Sequence, residues 1–70
     1  MNASTVVRVN GRDVPLPPAR TVASLVEDLG LAGKRIAVER NGEIVPRSRY
    51  AQTPIAPGDR LEIVGAVGGG

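Results

Sequence analysis

Apolar and polar residues alternate in several short stretches of this chain, and in one place apolar residues recur at helical spacing. Residues 5–10, Thr-Val-Val-Arg-Val-Asn, are rich in β-branched side chains; Val7 and Val9 fall on one face, Val6 and Arg8 on the other. Asn10-Gly11 follows, the dipeptide of a two-residue hairpin whose central positions need positive φ. Residues 13–16 then return with Val14 and Leu16 on one face, and Pro15, lacking a backbone donor, predicts a strand at a sheet edge. Pro17 and Pro18 end it.

Thr21 suits a helix N-cap, its hydroxyl accepting an orphan backbone N–H. Val22, Leu25, Val26 and Leu29 follow at i, i+3, i+4 and i+7, one apolar stripe of a helix over about 22–29. Gly30 is placed to close that helix. Alternation resumes at 35–40, where Ile36 and Val38 share a face. Asn41-Gly42 is a second hairpin signal, with Ile44-Val45 as a short return strand that Pro46 stops. Residues 47–58 read as an irregular connection with one helical turn near Ser48–Tyr50, ending in the turn Pro57-Gly58-Asp59. The last strand is 60–64, with Leu61 and Ile63 on one face.

The predicted order is β-β-α-β-β-β. The apolar stripe of the helix needs a partner surface, which the sheet supplies. The expected fold class is therefore α+β: a mixed sheet of four to five strands packed on one helix, with the first and last strands adjacent and parallel. That is the β-grasp arrangement. Residues 1–65 form the single expected domain, and 66–70 a flexible glycine-rich tail, since from Gly65 onward the chain loses any core-forming pattern.

Composition narrows the chemistry. Seventy residues make one domain, and a domain of this size buries only about 60% of its unfolded surface. There is no Cys, no His, no Trp and no Phe, and there is one Tyr, so the core is built from Val, Leu and Ile. Without Cys there is no disulfide framework and no thiolate metal site. Without His the commonest general base and the commonest transition-metal ligand are missing. No metal site is expected. The nine basic residues, Arg8, Arg12, Arg20, Lys34, Arg35, Arg40, Arg47, Arg49 and Arg60, are scattered among seven acids for a net charge of +2. Their plain reading is a solvated surface. No aromatic platform accompanies them, which argues against a nucleic-acid partner. No apolar run has the length of a membrane span, and the N-terminus lacks a signal-peptide pattern, so no membrane partner and a cytoplasmic location are expected.

Glu27-Asp28 read as a solvated helix face rather than a catalytic pair, and Asp59 as a turn residue bonding its own backbone. Gly68-Gly69-Gly70 lacks the lysine and helix of a phosphate-binding loop. No nucleophilic triad can be assembled, so the chain is not expected to be an enzyme. The tail remains. Its plain reading is a frayed end. Its functional reading is a carboxylate on an unhindered residue, anchored by the last strand. Such a carboxylate is a poor electrophile until AMP is transferred to it from ATP; a sulfur nucleophile can then attack the mixed anhydride. A partner must thread the tail through a narrow slot, and a side chain at Gly69 or Gly70 would block the passage.

The segment Ala37-Val38-Glu39-Arg40-Asn41-Gly42-Glu43-Ile44-Val45-Pro46-Arg47, with Tyr50 at a position where an aromatic follows, resembles the ThiS family of sulfur carriers in thiamine thiazole biosynthesis. Pro57-Gly58-Asp59-Arg60-Leu61-Glu62-Ile63 is similar to that family's entry to the last strand, and Gly69-Gly70 to its terminal diglycine. The resemblance covers nearly the whole chain. It implies a ubiquitin-like β-grasp fold and a carrier that binds no cofactor of its own. A ThiF-like adenylyltransferase would use ATP to activate Gly70. A sulfurtransferase or cysteine desulfurase would supply the sulfur, and thiazole synthase, ThiG, would receive it. It further implies that Gly70 bears the thiocarboxylate, that Gly68 and Gly69 are threaded, and that Glu62, Val64 and Val67 contribute to docking. The chain departs from the pattern in carrying three terminal glycines and no aromatic in its first strand. The same chemistry also fits a carrier for another pathway, such as the small subunit of molybdopterin synthase or a carrier for cysteine or tRNA thiolation. A ubiquitin-like modifier, a binding module with an idle tail and a basic nucleic-acid-binding domain are the remaining alternatives.

Overall fold

The computed structural model describes residues 5–65. The elements are β1 (Val6–Val9), β2 (Arg12–Pro15), α1 (Val22–Asp28), β3 (Ile36–Arg40), β4 (Glu43–Val45), a 3₁₀ segment (Arg47–Gln52) and β5 (Arg60–Gly65). The strands form one mixed five-stranded sheet in the order β2-β1-β5-β3-β4. β1 and β5 run parallel, as expected, and the other pairs are antiparallel. β2, with Pro15, lies at an edge, where a missing backbone donor breaks no ladder.

The helix begins where Thr21 caps it: Ser24 N–H donates to Thr21 Oγ1 at 3.1 Å, and Thr21 N–H donates to Ser24 Oγ at 3.2 Å. Both orphan donors are thus satisfied reciprocally. Regular helix stops at Asp28, one residue before the expected end, and Leu29 is the C-cap. Gly30 N–H bonds the Glu27 carbonyl and Leu31 N–H the Val26 carbonyl, the paired closure that satisfies the last carbonyls of a helix. Val22, Leu25 and Val26 are buried, and Leu29 is packed on their rim.

The helix stripe meets Val7, Val9, Val38, Val45, Leu61 and Ile63 from the inner face of the sheet. Each such side chain contributes about 1.5–3 kcal/mol when buried, most of it offset by chain entropy. Ile55 joins this core although it lies in the connection read as irregular. It is drawn in by backbone bonds: Ile55 N–H donates to the Arg20 carbonyl at 2.9 Å and Val22 N–H to the Thr53 carbonyl at 3.0 Å. The connection is also more regular than one helical turn, because the 3₁₀ segment runs through Gln52 and Thr53 Oγ1 closes it on the Arg49 carbonyl at 2.7 Å.

Candidate functional site

β5 lies in the middle of the sheet, between β1 and β3. Strand alternation buries Leu61 and Ile63 against the helix and turns Arg60, Glu62 and Val64 to the outer face. On that face Glu62 stands opposite Glu39 of β3, Val64 opposite Ala37, and Ile44 of β4 opposite Glu39. Ile44 and Val64, at 66% and 56% exposure, are the large hydrophobics left open among the described residues. The outer face thus presents a small apolar surface around two directly opposed carboxylates. Like charges facing each other across a ladder oppose sheet formation, and no ion pair within 4 Å offsets this pair among the described residues.

Both ends of β5 are held by an asparagine of a tight turn. Asn10 and Asn41 sit at φ 54° and 51°, each followed by glycine at φ 83° and 88°, the left-handed pair that a two-residue hairpin demands. At the start of β5, Asn41 N–H donates to the Arg60 carbonyl at 2.8 Å, and Arg60 N–H donates to Asn41 Oδ1 at 2.9 Å. Near its end, Ile63 N–H donates to Asn10 Oδ1 at 2.8 Å, and Asn10 Nδ2 donates to the Ile63 carbonyl at 2.9 Å. The backbone ladder between β1 and β5 covers only Arg8–Arg60 and Val9–Leu61, with Asn10 N–H adding a bond to the Leu61 carbonyl at 2.9 Å. The carboxamide of Asn10 takes the place of the next residue of a strand.

Asp59, expected to bond its own turn, does so: Ala56 N–H donates to Oδ2 at 2.8 Å. It also accepts from Arg40 Nε at 3.1 Å and Asn41 Nδ2 at 3.2 Å. Partial burial pushes the carboxyl pKa up, but the Ala56 N–H, the Asn41 amide and the Arg40 charge together outweigh that and hold it below its ordinary 3.8. Its role is structural, and it joins the turn before β5 to the β3–β4 hairpin.

Of the residues singled out from the sequence, Glu62 and Val64 are brought together on the outer face. Val67, Gly68, Gly69 and Gly70 lie outside the described residues. Glu27 and Asp28 are exposed on the helix. The sequence marks Asn10 and Asn41 only as turn formers and shows neither their reach to β5 nor, in the pair Ile44-Val45, which of the two faces outward. Alternation says only that one of the two does, since adjacent strand residues cannot both face the core. Among the described residues no group of three or more acids could hold a metal ion, and no helix is long and apolar enough to cross a membrane.

Comparison with known proteins identifies the family. The family model described as "ThiS family" matches residues 6–70. The chain is 36% identical over 66 residues to the sulfur carrier protein ThiS of Bacillus subtilis, covering 93% of this chain and 100% of that one. It is 47% identical over 62 residues to a thiazole synthase of Paramagnetospirillum magneticum and 33% identical over 64 to one of Magnetococcus marinus. These matches take in 89% and 91% of this chain, which spans only 19% and 20% of the length of those two relatives. ThiS-like sequence therefore occurs within thiazole synthase chains. The crystal structure of the thiamine biosynthesis protein ThiS from Geobacter metallireducens superposes with a TM-score of 0.76 at 31% identity, over 93% of this chain and 99% of that one. With the fold, the order of its strands and a family match that runs through Gly70 in agreement, this chain belongs to the ThiS family.

Proposed function

We propose that this chain is the sulfur carrier of thiamine thiazole biosynthesis and that the carboxylate of Gly70 is its working group. The family match over residues 6–70 carries this reading. In it, a ThiF-like adenylyltransferase brings ATP to the Gly70 carboxylate. One carboxylate oxygen attacks the α-phosphorus and pyrophosphate leaves, giving an acyl adenylate. The outer sulfur of a persulfide carried by a sulfurtransferase or cysteine desulfurase then attacks the carbonyl carbon, and AMP departs to leave an acyl disulfide. A partner's thiol attacks the donor-side sulfur of that S–S bond, which releases the thiocarboxylate and leaves a disulfide for a cellular dithiol to reduce. The resulting thiocarboxylate is delivered to thiazole synthase. The chain supplies no acid, base or metal to these steps and binds no cofactor; it is a substrate of its partners.

The partnership with thiazole synthase is supported by the thiazole synthase chains that contain a stretch of this sequence type. The outer face around Glu62 and Val64 supports docking, because exposed Val64 lies on the strand that leads to the tail and exposed Ile44 of β4 widens the apolar surface on the same face. Gly68 and Gly69 serve the reading by having no Cβ, so backbone can pass close to backbone in a slot.

Intact-mass analysis of the protein purified from its native host tests the proposal. Replacement of one oxygen by sulfur, localised to Gly70 by fragmentation and absent from a variant lacking that residue, is the expected result. A mass that never departs from the unmodified chain under thiamine starvation would overturn it.

A further inference from the structure

The two sides of β5 are held unequally near its end. Toward β3 the ladder continues through Val38–Ile63 and Ala37–Val64 to Ile36–Gly65. Toward β1 it stops at Val9–Leu61. Beyond that point, the side chain of Asn10 supplies the β1-side bonds to Ile63, one donated and one accepted, from a residue 53 positions away in the chain. The asparagine sits in the left-handed conformation of its turn, so its carboxamide is aimed by the hairpin rather than by a flexible stem.

We propose that Asn10 is a positioning residue: its carboxamide holds the last strand at Ile63 and thereby sets where the tail leaves the fold. The consequence for sulfur transfer rests on the carrier reading above; the consequence for the strand does not. A carrier docked by its sheet face must present a short tail to a fixed catalytic centre. Every degree of freedom at the base of that tail lowers the fraction of docked complexes in which the terminal carboxylate meets ATP. A strand end held on one side only would swing, and the loss would appear in turnover more than in docking.

The turn at Asn41 provides the matched control. Asn10→Gly and Asn41→Gly both keep a residue suited to the left-handed turn and both remove side-chain bonds to β5, but at opposite ends of the strand. The first measurement is amide hydrogen exchange at Val64, which pairs with Ala37 and touches neither asparagine through its ladder. Asn10→Gly is expected to speed that exchange about tenfold while Asn41→Gly leaves it near wild type, the size following from the loss of two net hydrogen bonds. The second is carrier-dependent pyrophosphate release by a ThiF-type adenylyltransferase with ATP. Asn10→Gly is expected to lower kcat about tenfold at saturating carrier with KM for the carrier little changed, and Asn41→Gly to change neither. Asn10→Asp, which keeps the acceptor for Ile63 N–H and loses the donor, gives the same order of effects if the glycine variant fails to fold. Equal behaviour of the Asn10 and Asn41 variants in the exchange measurement overturns the proposal. A wild-type chain that is never adenylated overturns the carrier reading instead, and the exchange result still decides the role of Asn10.

Discussion

The two Asn-Gly turns of this molecule share a dipeptide and a backbone conformation, and each reaches across to β5, but they hold it by different means. At the start of the strand, Asn41 works within a charged cluster. It bonds Arg60 twice and Asp59 once, while Asp59 also accepts from Arg40 and from Ala56 N–H. Near the end of the strand, Asn10 works through its neutral amide and its own N–H, at Ile63 and Leu61. One end is held redundantly by four side chains and backbone groups. At the other, the β3 ladder continues to Gly65, but on the β1 side the hold at Ile63 comes from one carboxamide. The difference teaches that identical local signals can be built into unlike surroundings: a charged cluster at one end of the strand, and a neutral amide standing in for a missing strand residue at the other.

The largest break in this comparison comes from the charged end. Asp59→Ala removes the acceptor for three donors at once and leaves the Arg40 charge without its partner, at a cost of about 2–3 kcal/mol in urea denaturation. A cost below about 1 kcal/mol would mean that the hairpin holds itself and that the cluster is incidental. The same residue makes one end of β5 sensitive to acid. Because the folded-state pKa of Asp59 is lowered, its stabilising contribution is fully present above the unfolded carboxylate value. It is lost as pH falls through the folded pKa. The stability difference between wild type and Asp59→Asn therefore shrinks on acidification below the ordinary 3.8. The difference between wild type and Asn10→Gly stays constant over the same range, since neither an amide nor a backbone group titrates there.

A smaller and more exact comparison uses the glycines. Gly11 and Gly42 have nearly equal φ, 83° and 88°, and a Cβ built on either meets nothing within 4 Å. The cost of Gly11→Ala and of Gly42→Ala is thus backbone conformation alone, about 1–2 kcal/mol each. Thermal melts should place the two variants within a few tenths of a kcal/mol of each other. Equality would localise the difference between the turns to their asparagine side chains. A clear inequality would mean that the turns themselves differ.

These turns also mark where the sequence stops being legible. Strand positions, the helix, its Thr21 cap and the edge placement of the strand with Pro15 follow from periods, caps and a missing donor, all of which act within a few residues. The parallel contact of β1 and β5 follows from one helix needing a full sheet to cover it. The partners of Asn10 and Asn41 do not follow in this way. They lie 53 and 19 residues away, and an Asn before Gly satisfies the turn rule whether or not its carboxamide has work elsewhere. Ile55 escaped for a related reason: a lone apolar residue in a nonperiodic segment carries no face, and only its backbone bond to Arg20 brings it to the core. The outer face was half legible. Glu62 and Val64 came from resemblance, whereas Glu39 and Ile44 join them only once the β3 register is known.

The smallest expected effect separates the two ends by ionic strength. Arg40 and Asp59 are 33% and 13% exposed, so their attraction is partly screened from solvent but not removed from it. At 1 M salt the Debye length is about 3 Å, comparable with the 3.1 Å separation of the pair. Raising NaCl from 0.05 to 1 M should therefore reduce the cost of Asp59→Asn by a few tenths of a kcal/mol. The cost of Asn10→Gly should not follow it, because dipole–dipole bonds between an amide and a backbone are nearly indifferent to counterions. General salting-out of apolar surface acts on both variants and cancels in the difference between them. If the two costs move together, the charged cluster is acting as a set of ordinary hydrogen bonds, and the contrast between the ends of β5 is one of number rather than kind. If only the Asp59 cost moves, the end of the strand that leads to the tail is the one whose hold is independent of salt and acid alike.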